Sequence, residues 1–233
     1  MRVLAHIAVF ATGLSLLSSC TFDAEGNPTG LYAAALQGVT PMPKEVPAEV
    51  LAVQADPQHY APVAHPLRDV PAGTVIDDLK GISGCWARYV EESQLIDGEE
   101  THIQTVEVRT FDLSGKEYAC HTWSSADRVV APFTTVAILV SEFGSVRRVG
   151  DKRIVIEGQD FQAGGVKPDG TIVYEYGAAV VGAINASTSY PCLVTVQGDY
   201  MKLLEGASDQ SPADLEVGAD GSDGSLWVRL NCE

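Results

Sequence analysis

The sequence predicts an all-β domain, an antiparallel barrel or a β-sandwich, preceded by a leader and a proline-rich spacer. Three observations carry this reading. From Leu79 to Glu233 apolar residues recur with period two, the spacing at which side chains share one face of a strand. Turn pairs punctuate the runs, among them Asp97-Gly98, Ser114-Gly115, Gly150-Asp151, Asp169-Gly170 and Asp220-Gly221. No amphipathic helical pattern of about three turns or more interrupts them. Hydrophobic residues are 45% of the 233, enough for a packed core.

In chain order, Met1-Arg2 places one positive charge ahead of an apolar run, Val3 to Leu17. That run is shorter than the roughly 20 helical residues a bilayer requires. It fits the apolar region of a secretory signal peptide, here residues 1–19. Residues 20–78 hold eight of the twelve prolines. Proline removes backbone donors and pushes its neighbours toward extended geometry, so this stretch reads as a semi-extended spacer. The alternative is that part of it wraps the domain, with Val46, Val50, Leu51 and Val53 docking on its surface.

Residues 79–233 form the β domain. Val106 and Val108 alternate with polar neighbours, as do Val194 and Val196; Ile154 and Ile156 flank Val155, Ile172, Tyr174 and Tyr176 share one face, and Leu226, Val228 and Leu230 alternate with Trp227, Arg229 and Asn231. Roughly eight to ten strands at this spacing make a sandwich or an antiparallel barrel. Roughly 150 residues can bury one core unaided.

Four cysteines lie in this domain, Cys85, Cys120, Cys192 and Cys232. An even count in an exported domain predicts two disulfides, with three possible connectivities. The shorter loops favour Cys85–Cys120 and Cys192–Cys232. Zinc is the rival reading, but no pair has the C-x₂-C spacing and only His121 adjoins a cysteine; no metal and no cofactor is expected.

Leu17-Ser18-Ser19-Cys20 resembles a bacterial lipobox, an apolar residue and two small residues before cysteine. The resemblance implies cleavage before Cys20, diacylation of its thiol and acylation of the new N-terminus, with palmitate an expected chain. Several chains together hold a protein stably to a bilayer. Thr21 rather than Asp follows the cysteine, which implies the outer membrane. The formal charge is −16, so the surface has no affinity for anionic headgroups or nucleic acid.

Gly84-Cys85-Trp86 resembles the Gly-x-Trp signature on the first strand of lipocalins. Gly198-Asp199-Tyr200 resembles part of their second signature, with glycine in place of threonine, and Arg229 falls where their last strand carries an arginine. The resemblance covers residues 79–233. It implies a barrel whose narrow end is plugged by Trp86 with the Arg229 guanidinium stacked on it. It also implies an interior that takes one small apolar ligand, lined by residues such as Tyr174, Tyr176 and Val108. A filled core without a cavity is the alternative.

Catalytic patterns are missing from the sequence: there is no G-x-S-x-G, H-E-x-x-H or phosphate-cradling loop. His121 with Asp127 and Ser124 or Ser125 reads better as a satisfied histidine than as a nucleophile arrangement. Glu91-Glu92 and Glu99-Glu100 would point to opposite strand faces and read as solvated. Asp214, Glu216, Asp220 and Asp223 lack the calcium-loop spacing. The expectation is therefore a non-enzymatic envelope lipoprotein. Its partners would be the bilayer, through acylated Cys20, and either a small apolar ligand or, as a structural or assembly module, an envelope protein.

Overall fold

The computed structural model describes residues 21–22, 28–29, 45–96, 98–127, 137–176, 188–207, 210–216 and 224–232. The leader and Cys20 lie outside the described residues. Nine strands dominate the domain: β1 (Gly84–Ile96), β2 (Glu99–Asp112), β3 (Glu117–Ala126), β4 (Ala137–Arg148), β5 (Arg153–Val166), β6 (Ile172–Tyr176), β7 (Thr188–Gln197), β8 (Tyr200–Glu205) and β9 (Ser225–Leu230). All pairings are antiparallel. Eight strands close into a barrel in the order β1-β2-β3-β4-β5-β7-β8-β9, and β9 returns to β1. The sandwich alternative is thereby excluded. β5 pairs along its first half with β7 and near its end with β6.

Closure sorts the side chains. Trp86, Phe111, Tyr118, Val146, Ile156, Val194, Met201 and Trp227 meet in one buried cluster, and they come from every wall of the barrel. This is the interior. The alternate residues face outward and pack under other chain segments. Gln159 is an extra residue of β5 opposite the Phe143–Gly144 step of β4, a bulge that bends β5. A side chain at Gly144 would stand 2.1 Å from the Glu157 carbonyl oxygen, so only glycine permits this approach.

The prolines do not mark a free spacer throughout. From residue 45 onward the chain is a strap laid over the barrel wall, the alternative that the sequence left open. Helix α1 (Ala48–Ala55) buries Val50 and Val53 against Ala87, Tyr89, Val106 and Val108. Val46 is half-buried there, whereas Leu51 is 52% exposed. Full burial contributes about 1.5–3 kcal/mol for each valine. Pro57 follows α1 and prevents its continuation; a single turn, α2 (Pro57–Tyr60), comes next.

Beyond α2 the strap crosses β9, β8 and β7. A chain that crosses strands cannot join their ladder, and its prolines lack donors in any case, so side chains make the attachments. The Lys202 ammonium donates to the carbonyls of Arg68 (3.0 Å) and Val70 (2.8 Å). Thr195 Oγ1 donates to the Pro71 carbonyl at 3.3 Å. Leu67 is fully buried, and Ala72 packs on Leu193. The strap ends at the 3₁₀ turn Leu79–Ile82, whose Asp78 cap accepts from Lys80 N–H. Leu79 and Ile82 enter the interior cluster and plug one end.

The disulfide pairing expected from loop length is corrected. Cys85 bonds to Cys232, with Cα atoms 6.0 Å apart. Leu230 pairs with Cys85 across the closing seam, which brings Cys232, two residues on, to the outward-facing Cys85. Cys120 and Cys192 are buried thiols on the interior face. Burial pushes the Cys120 thiol up to about 11, although Arg109 opposes that rise.

Two predictions arise here. Cys232→Ser should lower stability by about 2–5 kcal/mol in chemical denaturation, because the disulfide joins positions 147 residues apart and restricts the unfolded chain. The second concerns His65, a buried residue of the strap. Its Nε2–H donates to the Trp227 carbonyl at 2.9 Å, and its Nδ1 accepts from Leu67 N–H at 3.2 Å. Burial first, then Lys202 and Arg68, hold its pKa below the ordinary 6.5 against the raising effect of the Trp227 carbonyl. The unfolded chain therefore takes the proton first, so stability is full above pH 6.5 and falls as pH drops below it. The melting temperature should fall between neutral pH and about pH 5.5, and His65→Gln should flatten that fall.

Candidate functional site inside the barrel

The floor comes first. Trp86 is fully buried, and its Nε1–H donates to the Ile82 carbonyl at 2.6 Å. The Arg229 guanidinium carbon lies 4.3 Å from the Trp86 ring centroid. Arg229 also donates to the carbonyls of Gly81 (2.6 Å) and Ser83 (3.1 Å) and lies 3.3 Å from the Asp199 carboxylate. Gly84 has φ +118°, and a Cβ there would stand 2.9 Å from Arg229 Nη1. Gly84, Trp86 and Arg229 are thus brought together at the plugged end, with Asp199 of the β7–β8 turn beside them.

Above the floor lies a polar layer that the sequence reading missed. Two guanidiniums lie over the Trp227 ring, Arg88 at 5.0 Å and Arg109 at 4.8 Å from its centroid. Arg88 is bonded to Glu107 and Arg109 to Glu205. Tyr118 and Tyr190 donate to the Glu142 carboxyl at 3.5 and 3.4 Å, and their hydroxyls are 3.4 Å apart.

Burial governs the ionisation of this layer. It raises the Glu142 pKa above the ordinary carboxylate value, with Arg109 opposing and Glu205 adding to the rise. At Glu107 burial pushes upward too, but Arg88, its hydrogen bond and Arg109 prevail, so the carboxyl is held below its usual value. Both tyrosines are raised well above theirs, chiefly by burial. Cation–π contacts of this kind contribute about 0.5–2 kcal/mol each. Removing one partner of a buried ion pair costs about 3–5 kcal/mol, because the other charge is left unpaired.

One signal would have found these residues. Side chains two apart on a strand share a face, so an inward Trp86 makes Arg88 inward. The pairing of Trp86 with Arg109 then makes Arg109 and Glu107 inward as well.

Other candidates are placed as follows. Val108, expected to line a cavity, faces outward beneath α1, because its parity is opposite to that of Arg109. The side chains of Tyr174 and Tyr176 lie outside the described residues. His121 faces outward and shares a 2.8 Å hydrogen bond with Ser141, whereas Ser124 faces inward and bonds Thr105 at 3.2 Å. The imagined nucleophile arrangement is therefore not assembled. Glu91, Glu92, Glu99 and Glu100 are exposed. Asp214 and Glu216 are exposed, and Asp220 and Asp223 lie outside the described residues. Among the described residues no group of three or more His, Cys, Asp or Glu side chains is placed to hold a metal ion.

Fold and site together define an eight-stranded antiparallel barrel, plugged at one end, with a buried layer of paired charges inside. Neither a known protein family nor a curated protein matches this sequence.

The floor geometry yields a test. Gly84→Ala combines a left-handed backbone with a clash against Arg229, so it should destabilise the fold by about 1–3 kcal/mol. Calorimetry should show the melting temperature falling by about 2–4 °C per kcal/mol, whereas alanine at Leu95, which is 79% exposed, should leave it unchanged.

Proposed function

We propose that this protein is a cell-envelope lipoprotein whose lipocalin-like barrel is a non-enzymatic binding module for a small, largely apolar ligand. Acylated Cys20 would hold it to the membrane, with residues 21–44 joining that anchor to the strap. No helix among the described residues is long and apolar enough to cross a membrane. The observation that carries the reading is the plugged barrel itself: a Trp86–Arg229 floor beneath an interior that places polar groups among apolar walls, the composition of a small-molecule site. The resemblance of Gly84, Trp86 and Arg229 to the lipocalin signatures supports it, as does their convergence at one end.

Two measurements test this. Labelled palmitate should be incorporated into the wild-type chain in its host and not into Cys20→Ser. Native mass spectrometry of protein purified from that host should show a co-purifying mass of lipid size. A clean mass together with a stoichiometric protein partner would replace the binder with an assembly module.

A further inference from the structure

This inference rests on the binding reading above and names the part of a ligand that the barrel recognises. Two hydrogen-bond donors of the polar layer meet no acceptor among the described residues, Arg109 Nε and Trp227 Nε1. Both residues are buried, Trp227 at 0% and Arg109 at 8% exposure. Both face the interior, and the Arg109 guanidinium lies over the Trp227 ring, so the two residues share one part of the interior. Trp86 provides the contrast, since its indole N–H is satisfied by Ile82.

The neighbouring carboxylates bond other groups, and none of them accepts from these two N–H donors. Glu205 takes Arg109 Nη1, Glu107 takes Arg88, and Glu142 takes both tyrosine hydroxyls. Buried N–H groups without partners are rare in folded proteins, because each loses its water on folding with nothing in return. The site therefore offers N–H groups to an oxygen atom that none of the described residues supplies.

Charge selects the kind of oxygen. The two guanidiniums are matched by Glu107 and Glu205, and Glu142 adds a third carboxyl. A carboxylate ligand would enter beside three acidic groups away from water, where repulsion is poorly screened. An uncharged carbonyl or hydroxyl oxygen accepts the same hydrogen bonds without that penalty. Position selects the orientation. Beneath the layer Trp86, Met201 and Leu203 are buried in the interior cluster, so the ligand body is assigned to the side of the layer away from Trp86. We propose that Arg109 and Trp227 form a head-group subsite for the uncharged oxygen of an amphiphile, an ester or alcohol rather than a carboxylate, which enters head first from the end opposite Trp86.

The test uses the full chain, labelled with nitrogen-15 at its tryptophan indoles, in phosphatidylcholine nanodiscs. The probes are monodecanoylglycerol and decanoate at neutral pH. Monodecanoylglycerol should shift the Trp227 indole resonance to a hydrogen-bonded position, leave that of Trp86 in place, and bind about tenfold more tightly than decanoate. Trp227→Phe, which keeps an aromatic ring against the guanidiniums, should weaken binding about fivefold and identify the shifted resonance. A Trp227 resonance that is hydrogen-bonded before any probe is added would assign the donor to water and overturn the subsite. Tighter decanoate binding would overturn the uncharged head. Saturable binding that leaves Trp227 unmoved would remove this subsite while the binding module stands. No binding of either probe, together with a clean native mass, would remove both.

Discussion

Hydrogen bonding between β1 and β9 closes the sheet on itself, and the arrangement of nearly every other group follows from that seam. A closed sheet has an inside and an outside, so period two becomes a sorting rule. Trp86 goes in and Cys85 goes out. The seam spans only Cys85 to Ala87 on β1, yet it sets the register of Arg229 against Trp86 and brings Cys232 to Cys85. The floor and the disulfide are thus two consequences of one pairing, on opposite faces of the same strand. Arg229 reinforces the seam from inside by stacking on Trp86 and binding the carbonyls of the turn that plugs the end.

The interior departs from a simple oily core. Five charged or ionisable carboxyl and guanidinium groups from β1, β2, β4 and β8 meet around Trp227. They are tolerated because each guanidinium has a carboxylate partner and an aromatic face, which together offset much of the lost hydration. Burying this layer in a protein with a large net negative charge separates its chemistry from that of the solvated surface. Two more buried polar groups lie between the strap and the outer wall: Lys202 of the barrel donates to strap carbonyls, and His65 of the strap bonds the Trp227 carbonyl and the Leu67 amide. The strap is thus attached by side chains of the barrel more than by its own.

Legibility in the sequence was uneven, for physical reasons. Gly84, Trp86 and Arg229 were readable because their roles depend on local pattern and on order along the chain. The polar layer was not read, since an arginine or glutamate within an alternating strand looks like a solvated face until one residue of that strand is known to point inward. Val108 was assigned to the interior for the same lack of a reference. The disulfide was misjudged because loop length favours neighbours in sequence, whereas closure makes the first and last strands neighbours in space. The strap was read as spacer because a segment that crosses strands has neither of the regular periods, and Lys202 and Thr195, which hold it, lie more than a hundred residues away.

The chain's alternation and turn residues by themselves determined that it forms antiparallel strands around one core, because both act between residues close in sequence. Only the tertiary structure decided that the sheet closes, which face is inside, which cysteines meet and which charges share the interior. Those outcomes depend on pairing strands from opposite ends of the domain, and no short-range pattern encodes the register in which they join.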